Sequence, residues 1–264
     1  MVILITGISS GFGKSMARQL NSDGHIVYGT IRKADERIEG VHYLTMEVTD
    51  DSSVEAAVAA VLREQGRIDV LINNAGMGIG GPLEFSSIED ARKQMDVNFL
   101  GMVRVLHFVL PVMRKQKSGR IICFSSIGGL IGLPFQGLYS ASKYAIEGYC
   151  EALRLEVKAF GIDVTTIEPG DFATAFTAKR QKILDEKALE AYPNFRRSME
   201  SIEHDENSGL KPDYLAKKIS KVVSCRRPKH SYIIASPLQS LAVTAKRILP
   251  PRLFAWIMKL YYKL

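Results

Sequence analysis

Short runs of apolar residues recur along the chain, and stretches of helical periodicity separate most of them. That alternation is the feature that most constrains the fold. Residues 2–5, 25–30, 41–46, 69–72, 120–124, 163–167 and 231–235 read as strands. Their apolar residues follow one another instead of alternating with polar ones, as in strands buried on both faces. Between them, 12–20, 52–64, 88 to about 114 and 137–160 read as helices. In 52–64, Val54, Val58, Val61 and Leu62 form one stripe. Strands alternating with helices predict an α/β fold: a doubly wound parallel sheet of about seven strands, covered on both faces. The 264 residues suit a single domain. At this size roughly three-quarters of the chain's surface can be buried without cross-links. The segment 171–212 breaks the rhythm. It is polar and charged, with Phe172, Phe176, Tyr192 and Phe195 interspersed, and it is expected to form a helical lid over the substrate site.

Composition narrows the setting. Cys123, Cys150 and Cys225 are odd in number and widely spaced, so neither a metal site nor a disulfide framework is expected. They suit a reducing, cytoplasmic compartment. The apolar start is too short for a signal peptide, and no run reads as transmembrane. The net charge of +7 is uneven: residues 211–264 hold 12 Lys/Arg and one acid, Asp213. A basic end on a mildly acidic body suggests an anionic partner surface. Nucleic acid is a poor match, because no binding motif accompanies the charge.

Several motifs carry chemistry. The first strand ends in Thr6-Gly7-Ile8-Ser9-Ser10-Gly11-Phe12-Gly13, directly before a helix. Glycines allow close backbone approach, and the helix N-terminus suits a pyrophosphate. Asn73-Asn74-Ala75-Gly76 follows the fourth strand, where its side chains would tie strand ends together or floor a ligand site. Ser125-Ser126 follows the fifth strand and Pro169-Gly170 the sixth. Tyr139 and Lys143 stand one helical turn apart in YSASK. An ammonium beside a phenol lowers the phenol's pKa; alone, the spacing also fits an exposed helix turn.

Taken together, TGISSGFG, NNAG, the Asn98 of DVN, Ser126, YSASK and PGDFAT, in this order, resemble the short-chain dehydrogenase/reductase family. The resemblance runs from Thr6 to about Thr174 and is nearest the 17β-hydroxysteroid and retinol dehydrogenase branch. It implies a nicotinamide-dependent oxidoreductase. Tyr139 would be the acid/base, Ser126 would hydrogen-bond the substrate oxygen, and Lys143 would hold the nicotinamide ribose and tune Tyr139. Asn98 would hold a proton-relay water. Gly7, Ser9, Ser10, Gly11, Phe12 and Gly13 would line the pyrophosphate. Asn74, Ala75 and Gly76 would sit by the adenosine-side ribose, and Pro169, Gly170 and Thr174 by the carboxamide. Glu47-Val48 stands where relatives carry Asp-Val near the adenine. Ile31 occupies the place where NAD-preferring members carry Asp, and Arg32 and Lys33 follow. That charge favours the 2′-phosphate of NADP(H) over NAD(H).

The apolar stretch 127–135 and the aromatic lid predict an apolar alcohol or carbonyl substrate. A 3-oxoacyl-type reductase is the nearest rival. A non-catalytic NADP-binding sensor is the alternative from another class. The resemblance also implies a homodimer or homotetramer paired through the helices of 88–114 and 137–160. The tail 246–264 reads as an amphipathic helix from Arg252 on, with Trp256 and lysines at its margins. It would either touch a membrane peripherally or pack on its own domain or a sister subunit.

Overall fold

A computed structural model describes residues 1–33, 37–183 and 185–264. The chain begins with β1 (Val2–Ile5), α1 (Gly11–Ser22), β2 (Ile26–Ile31), β3 (His42–Thr45), α2 (Asp51–Gln65) and β4 (Val70–Asn73). After a short β5 (Ile79–Gly80) come α3 (Ile88–Met95), a π turn at Asp96–Leu100, α4 (Gly101–Gln116) and β6 (Gly119–Phe124). Then follow α5 (Gly137–Glu156) and β7 (Ile162–Pro169). The remainder holds α6 (Ala175–Lys179), β8 (Gln181–Lys182), α7 (Glu186–Ala191), α8 (Asn194–Asn207), α9 (Pro212–Ser224), β9 (Ser231–Ile234), α10 (Pro237–Ile248) and α11 (Pro251–Tyr261).

Seven strands form one parallel sheet in the order β3-β2-β1-β4-β6-β7-β9. Successive residues point to opposite faces, and both faces are covered. Leu4, Leu71, Ile121 and Val164 pack with Val58 of α2, Val105 and Val109 of α4 and Ile146 of α5. Ile3, Ile5, Ile72 and Ile122 pack on the other side with Met16 and Leu20 of α1 and Leu215 and Ile219 of α9. Burial on both faces explains why these strands read as unbroken apolar runs. Cys123 and Cys150 are buried free thiols, and Cys225 is half-buried and free.

Three differences from the sequence reading have physical causes. The helix expected over 88–114 is continuous in direction but widens into a π turn at Asp96–Leu100. Such a turn inserts a residue and re-aims side chains, here Asn98. Within the 29 residues Ile88–Gln116, an 18-residue stretch of mean hydropathy 1.4 also meets the length and composition of a membrane span, contrary to the sequence reading. Val105, Leu106, Val109 and Met113 are nevertheless buried in the sheet-side core. The helix expected over 137–160 stops at Glu156 and gives way to a 3-10 turn at Lys158–Phe160.

The segment 171–212 is largely helical, as the expected helical lid requires, and carries α6, α7 and α8. It has its own small core of Phe195, Met199 and Ile202, closed by Tyr262 from the chain's end. Buried Arg180 ion-pairs with Glu206, joining the residue after α6 to α8. Glycine substitution separates two kinds of position. A Cβ at Gly13 would lie 2.1 Å from the Gly7 carbonyl oxygen, whereas one at Gly148 in α5 meets nothing within 4 Å. Gly148→Ala should therefore stabilise the fold by roughly 0.5–1 kcal/mol through the unfolded chain's lost freedom. Gly13→Ala should lower Tm. Thermal melts of the two variants check both signs.

Candidate active site

The sheet's strand order reverses at β1, whose neighbours are β2 and β4. Ligands of open parallel sheets sit beyond the carboxyl ends of strands at such a point. A cavity of about 1350 Å³ lies there. The first turn supplies Gly7, Ser9, Ser10, Gly11 and Phe12 to its wall. Gly7 and Gly11 take φ of +72° and +54°. A side chain at Gly7 would in addition press within 3.1 Å of the Ala75 Cα. Among the described residues, the Ser10 side chain makes no capping hydrogen bond to α1. The first-turn N–H groups are thus left for another acceptor, as a pyrophosphate cradle requires.

Asn74 ties this turn to the loop after β4. Its Nδ2 donates to the carbonyls of Thr6 and Gly7, both at 2.9 Å. Thr6 Oγ1 accepts from the N–H groups of Asn74 and Ala75, again at 2.9 Å. Asn74, Ala75 and Gly76 all line the cavity. Gly13 does not: it is buried behind the turn, where its missing side chain lets α1 approach Gly7 and Asn74. The expected lining role becomes a packing role. Asn98 also stands behind the wall. Its Oδ1 accepts from Met77 N (2.8 Å), and its Nδ2 donates to Met77 O and Ser142 Oγ (both 3.0 Å). Ser142 Oγ in turn donates to the Tyr139 carbonyl at 2.7 Å. Both amide donors of Asn98 are held by protein, so its side chain ties the π turn to the loop after β4 and to α5.

Ser126, Tyr139 and Lys143 meet on the cavity wall, joined there by Phe124, Pro169, Gly170 and Thr174. Ser126 follows β6, and its Oγ accepts from Gly128 N at 3.0 Å. Burial pushes the Tyr139 phenol up to about 12; the Ser126 hydroxyl and Arg180 pull it down, and Glu206 and Asp171 push it further. Burial likewise lowers the Lys143 ammonium to about 8, against the carboxylate of Glu147. Lys143 Nζ donates to the Phe124 carbonyl at 2.7 Å and lies 5.7 Å from the Tyr139 ring centre. The expected lowering of the phenol by Lys143 is therefore not the dominant effect: desolvation of the phenolate wins. A neutral phenol beside a serine hydroxyl is equipped to give a proton to a carbonyl oxygen. Among the described residues no group of three His, Cys, Asp or Glu could hold a metal.

At one end of the cavity, Ile31 is buried and Arg32 and Lys33 are exposed at the end of β2. Arg32, Glu47 and Val48 line the wall. Glu47 Oε1 turns back to accept from Thr49 N at 3.3 Å. At the other end, Ile127, Ile131 and Leu133 supply apolar surface. Of the four lid aromatics, Phe172 and Phe176 line the cavity. Phe195 is buried in the lid core, and Tyr192 donates to Glu84 Oε2 at 2.8 Å.

Sequence reasoning missed Asp171, Asp205, Glu206, Gln239, Ile257, Met258, Tyr261 and Tyr262, which also line the cavity. Burial and neighbouring carboxylates raise Asp171 to about 6 despite a hydrogen bond from Gln239. One available signal was the Ser236-Pro-Leu-Gln239 capping box that starts α10 and fixes Gln239. The tail's contribution had no such local signal.

The family model described as short chain dehydrogenase matches residues 1–184. The chain belongs to this family of oxidoreductases. It is 47% identical over 262 residues to a 3-ketodihydrosphingosine reductase of Bacteroides thetaiotaomicron, covering 99% of this chain and 97% of that protein. It is 43% identical over 194 residues to mouse 17-beta-hydroxysteroid dehydrogenase type 1, covering 67% of this chain but 56% of that protein. A short-chain dehydrogenase structure from Streptomyces avermitilis superposes with a TM-score of 0.79 at 27% identity, covering 93% of this chain and 95% of that one.

The electrostatics can be measured directly. In a side-chain NMR titration of 13C-labelled lysine, Lys143 should lose its proton near pH 8, with its resonance assigned by Lys143→Met. A midpoint near 10.5, the ordinary lysine value, contradicts the burial argument.

Proposed function

We propose that the protein reduces the 3-keto group of a long-chain 2-amino ketone of the 3-ketodihydrosphingosine type to the secondary alcohol, using NADPH. The observation that carries this reading is 47% identity to a reductase of that name across nearly the whole of both chains. The shape of the cavity supports it, since the pocket continues past Tyr139 to apolar and aromatic residues of the lid and tail. Relatives named for steroids support a bulky apolar substrate more generally, but the match to the mouse enzyme covers a shorter part of both proteins. The intact set of Asn98, Ser126, Tyr139 and Lys143 favours turnover over a sensor role.

The cofactor supplies the hydride when bound. Gly7, Ser9, Ser10, Gly11 and Phe12 would hold its pyrophosphate, and Asn74, Ala75 and Gly76 its adenosine side. Pro169, Gly170 and Thr174 would meet the carboxamide. Lys143, protonated at neutral pH, would hold the ribose hydroxyls. Ser126 donates a hydrogen bond to the substrate oxygen and stabilises its developing charge. Tyr139 gives that oxygen its proton, and the raised phenol pKa suits this direction. Asn98 and Gly13 act through others: Asn98 holds α5 in place, and Gly13 lets α1 close on the turn. Exposed Arg32 would pair with the 2′-phosphate of NADPH, where a carboxylate would repel it. We also assign a cytoplasmic setting, suited to the three free thiols, and a homodimer or homotetramer. Exposed Leu100 and Leu155, on the π turn and α5, support pairing there.

Two substitutions test the reading. Tyr139→Phe should lower kcat for the keto substrate by about 10²-fold or more while leaving NADPH affinity nearly unchanged. Unchanged kcat would remove Tyr139 from the proton step. Arg32→Ala should weaken NADPH far more than NADH in a fluorescence titration. Equal losses for the two cofactors would leave the 2′-phosphate without its proposed partner.

A further inference from the structure

We propose that α10 and α11 form a docking face for an anionic lipid bilayer, and that the substrate cavity opens within this face. Each helix has one side committed to the protein. Val243 is buried, Met258 packs against the lid core, and the Tyr262 carbonyl accepts from Ser198 Oγ at 2.7 Å. The opposite side is apolar and uncovered. Ile248 is 74% exposed, Leu238 64%, Leu241 63%, Leu260 60% and Trp256 58%. Single exposed apolar residues are ordinary, but a group of large ones on two consecutive helices marks a contact surface.

Charge selects the occupant. Arg247, Arg252, Lys259 and Lys263 are exposed around these residues, and no acid follows Asp213 in the sequence. Among the described residues, none of the four forms an ion pair with a carboxylate. Lys246 is different: its Nζ donates to the Leu130 carbonyl and the Tyr144 hydroxyl, which anchors α10 to the domain. A second copy of this face would set cation against cation across a two-fold axis. An anionic lipid surface instead complements both the basic rim and the apolar centre, with Trp256 at headgroup depth.

The same helices reach the cavity. Leu238 and Ala242 of α10, and Ile257 and Tyr261 of α11, contribute to its wall. A substrate with a long alkyl chain could then pass from bilayer to cavity without exposing that chain to water. This last step rests on the proposed long-chain substrate; the docking itself does not.

The test is flotation of the full chain with phosphatidylcholine vesicles, with and without phosphatidylglycerol. It is run for the wild type and for Arg252→Glu/Trp256→Glu/Lys259→Glu, none of whose positions lines the cavity. Turnover of a small water-soluble ketone and a thermal melt report separately on the site and the fold. The wild type should bind the anionic vesicles about tenfold or more tightly than the neutral ones, as a few basic side chains near an anionic surface provide. The triple variant should lose that binding while keeping its melt and its soluble-ketone turnover. Equal binding to both vesicle types, absent binding, or a variant that binds as the wild type does would overturn the proposal. So would a wild-type dimer that the variant breaks in light scattering, with no vesicle binding by either.

Discussion

The site depends on one buried amide. Asn98 sits at 1% exposure on the π turn and joins three segments that the sheet alone would leave independent. It fixes the loop after β4 through Met77 and the start of α5 through Ser142, whose hydroxyl reaches the Tyr139 carbonyl. Leaving such a group unpaired in the interior costs roughly 1–3 kcal/mol, so the three segments are held in one arrangement. Thr6 and Asn74 do the same on the other side of β4, where they lock the glycine turn to the NNAG loop. The phenol and the pyrophosphate cradle thus share one rigid frame.

Within that frame, burial sets the electrostatics. Tyr139 and Lys143 are displaced in opposite directions by the same cause, because desolvation disfavours phenolate and ammonium alike. The result is a neutral phenol and an ammonium that still carries its proton at pH 7. The YxxxK spacing suggests a tyrosine lowered by its lysine. In three dimensions the lysine's first partner is the Phe124 carbonyl, and its charge reaches the ring from 5.7 Å.

The central strands were legible because they are buried on both faces, and a run such as Val70–Asn73 fits little else. The motif residues were legible because they follow strand ends in a fixed order, and nearly all of them line one cavity. What stayed hidden depends on contacts distant in sequence. Nothing near Asn98 signals the π turn, since its stabilising partners lie at 77 and 142. Gly13 reads as a phosphate glycine, and only the approach of Gly7 and Asn74 makes it a packing one. The lid over 171–212 was legible as an element, but its core was not, because Phe195, Met199 and Ile202 close against Tyr262 from the far end of the chain. The tail's two alternatives turn out to be compatible: Met258 and Tyr262 pack inward while Trp256 and Leu260 face outward.

The central claim is that these residues bring a ketone carbon and a nicotinamide together for hydride transfer. The most direct measurement supplies 3-ketodihydrosphingosine and NADPH carrying deuterium at the transferable position, then weighs the product by mass spectrometry. The account predicts a secondary alcohol with one deuterium on the former keto carbon. Saturable NADPH binding with no alcohol formed, or an alcohol without the label, would contradict it.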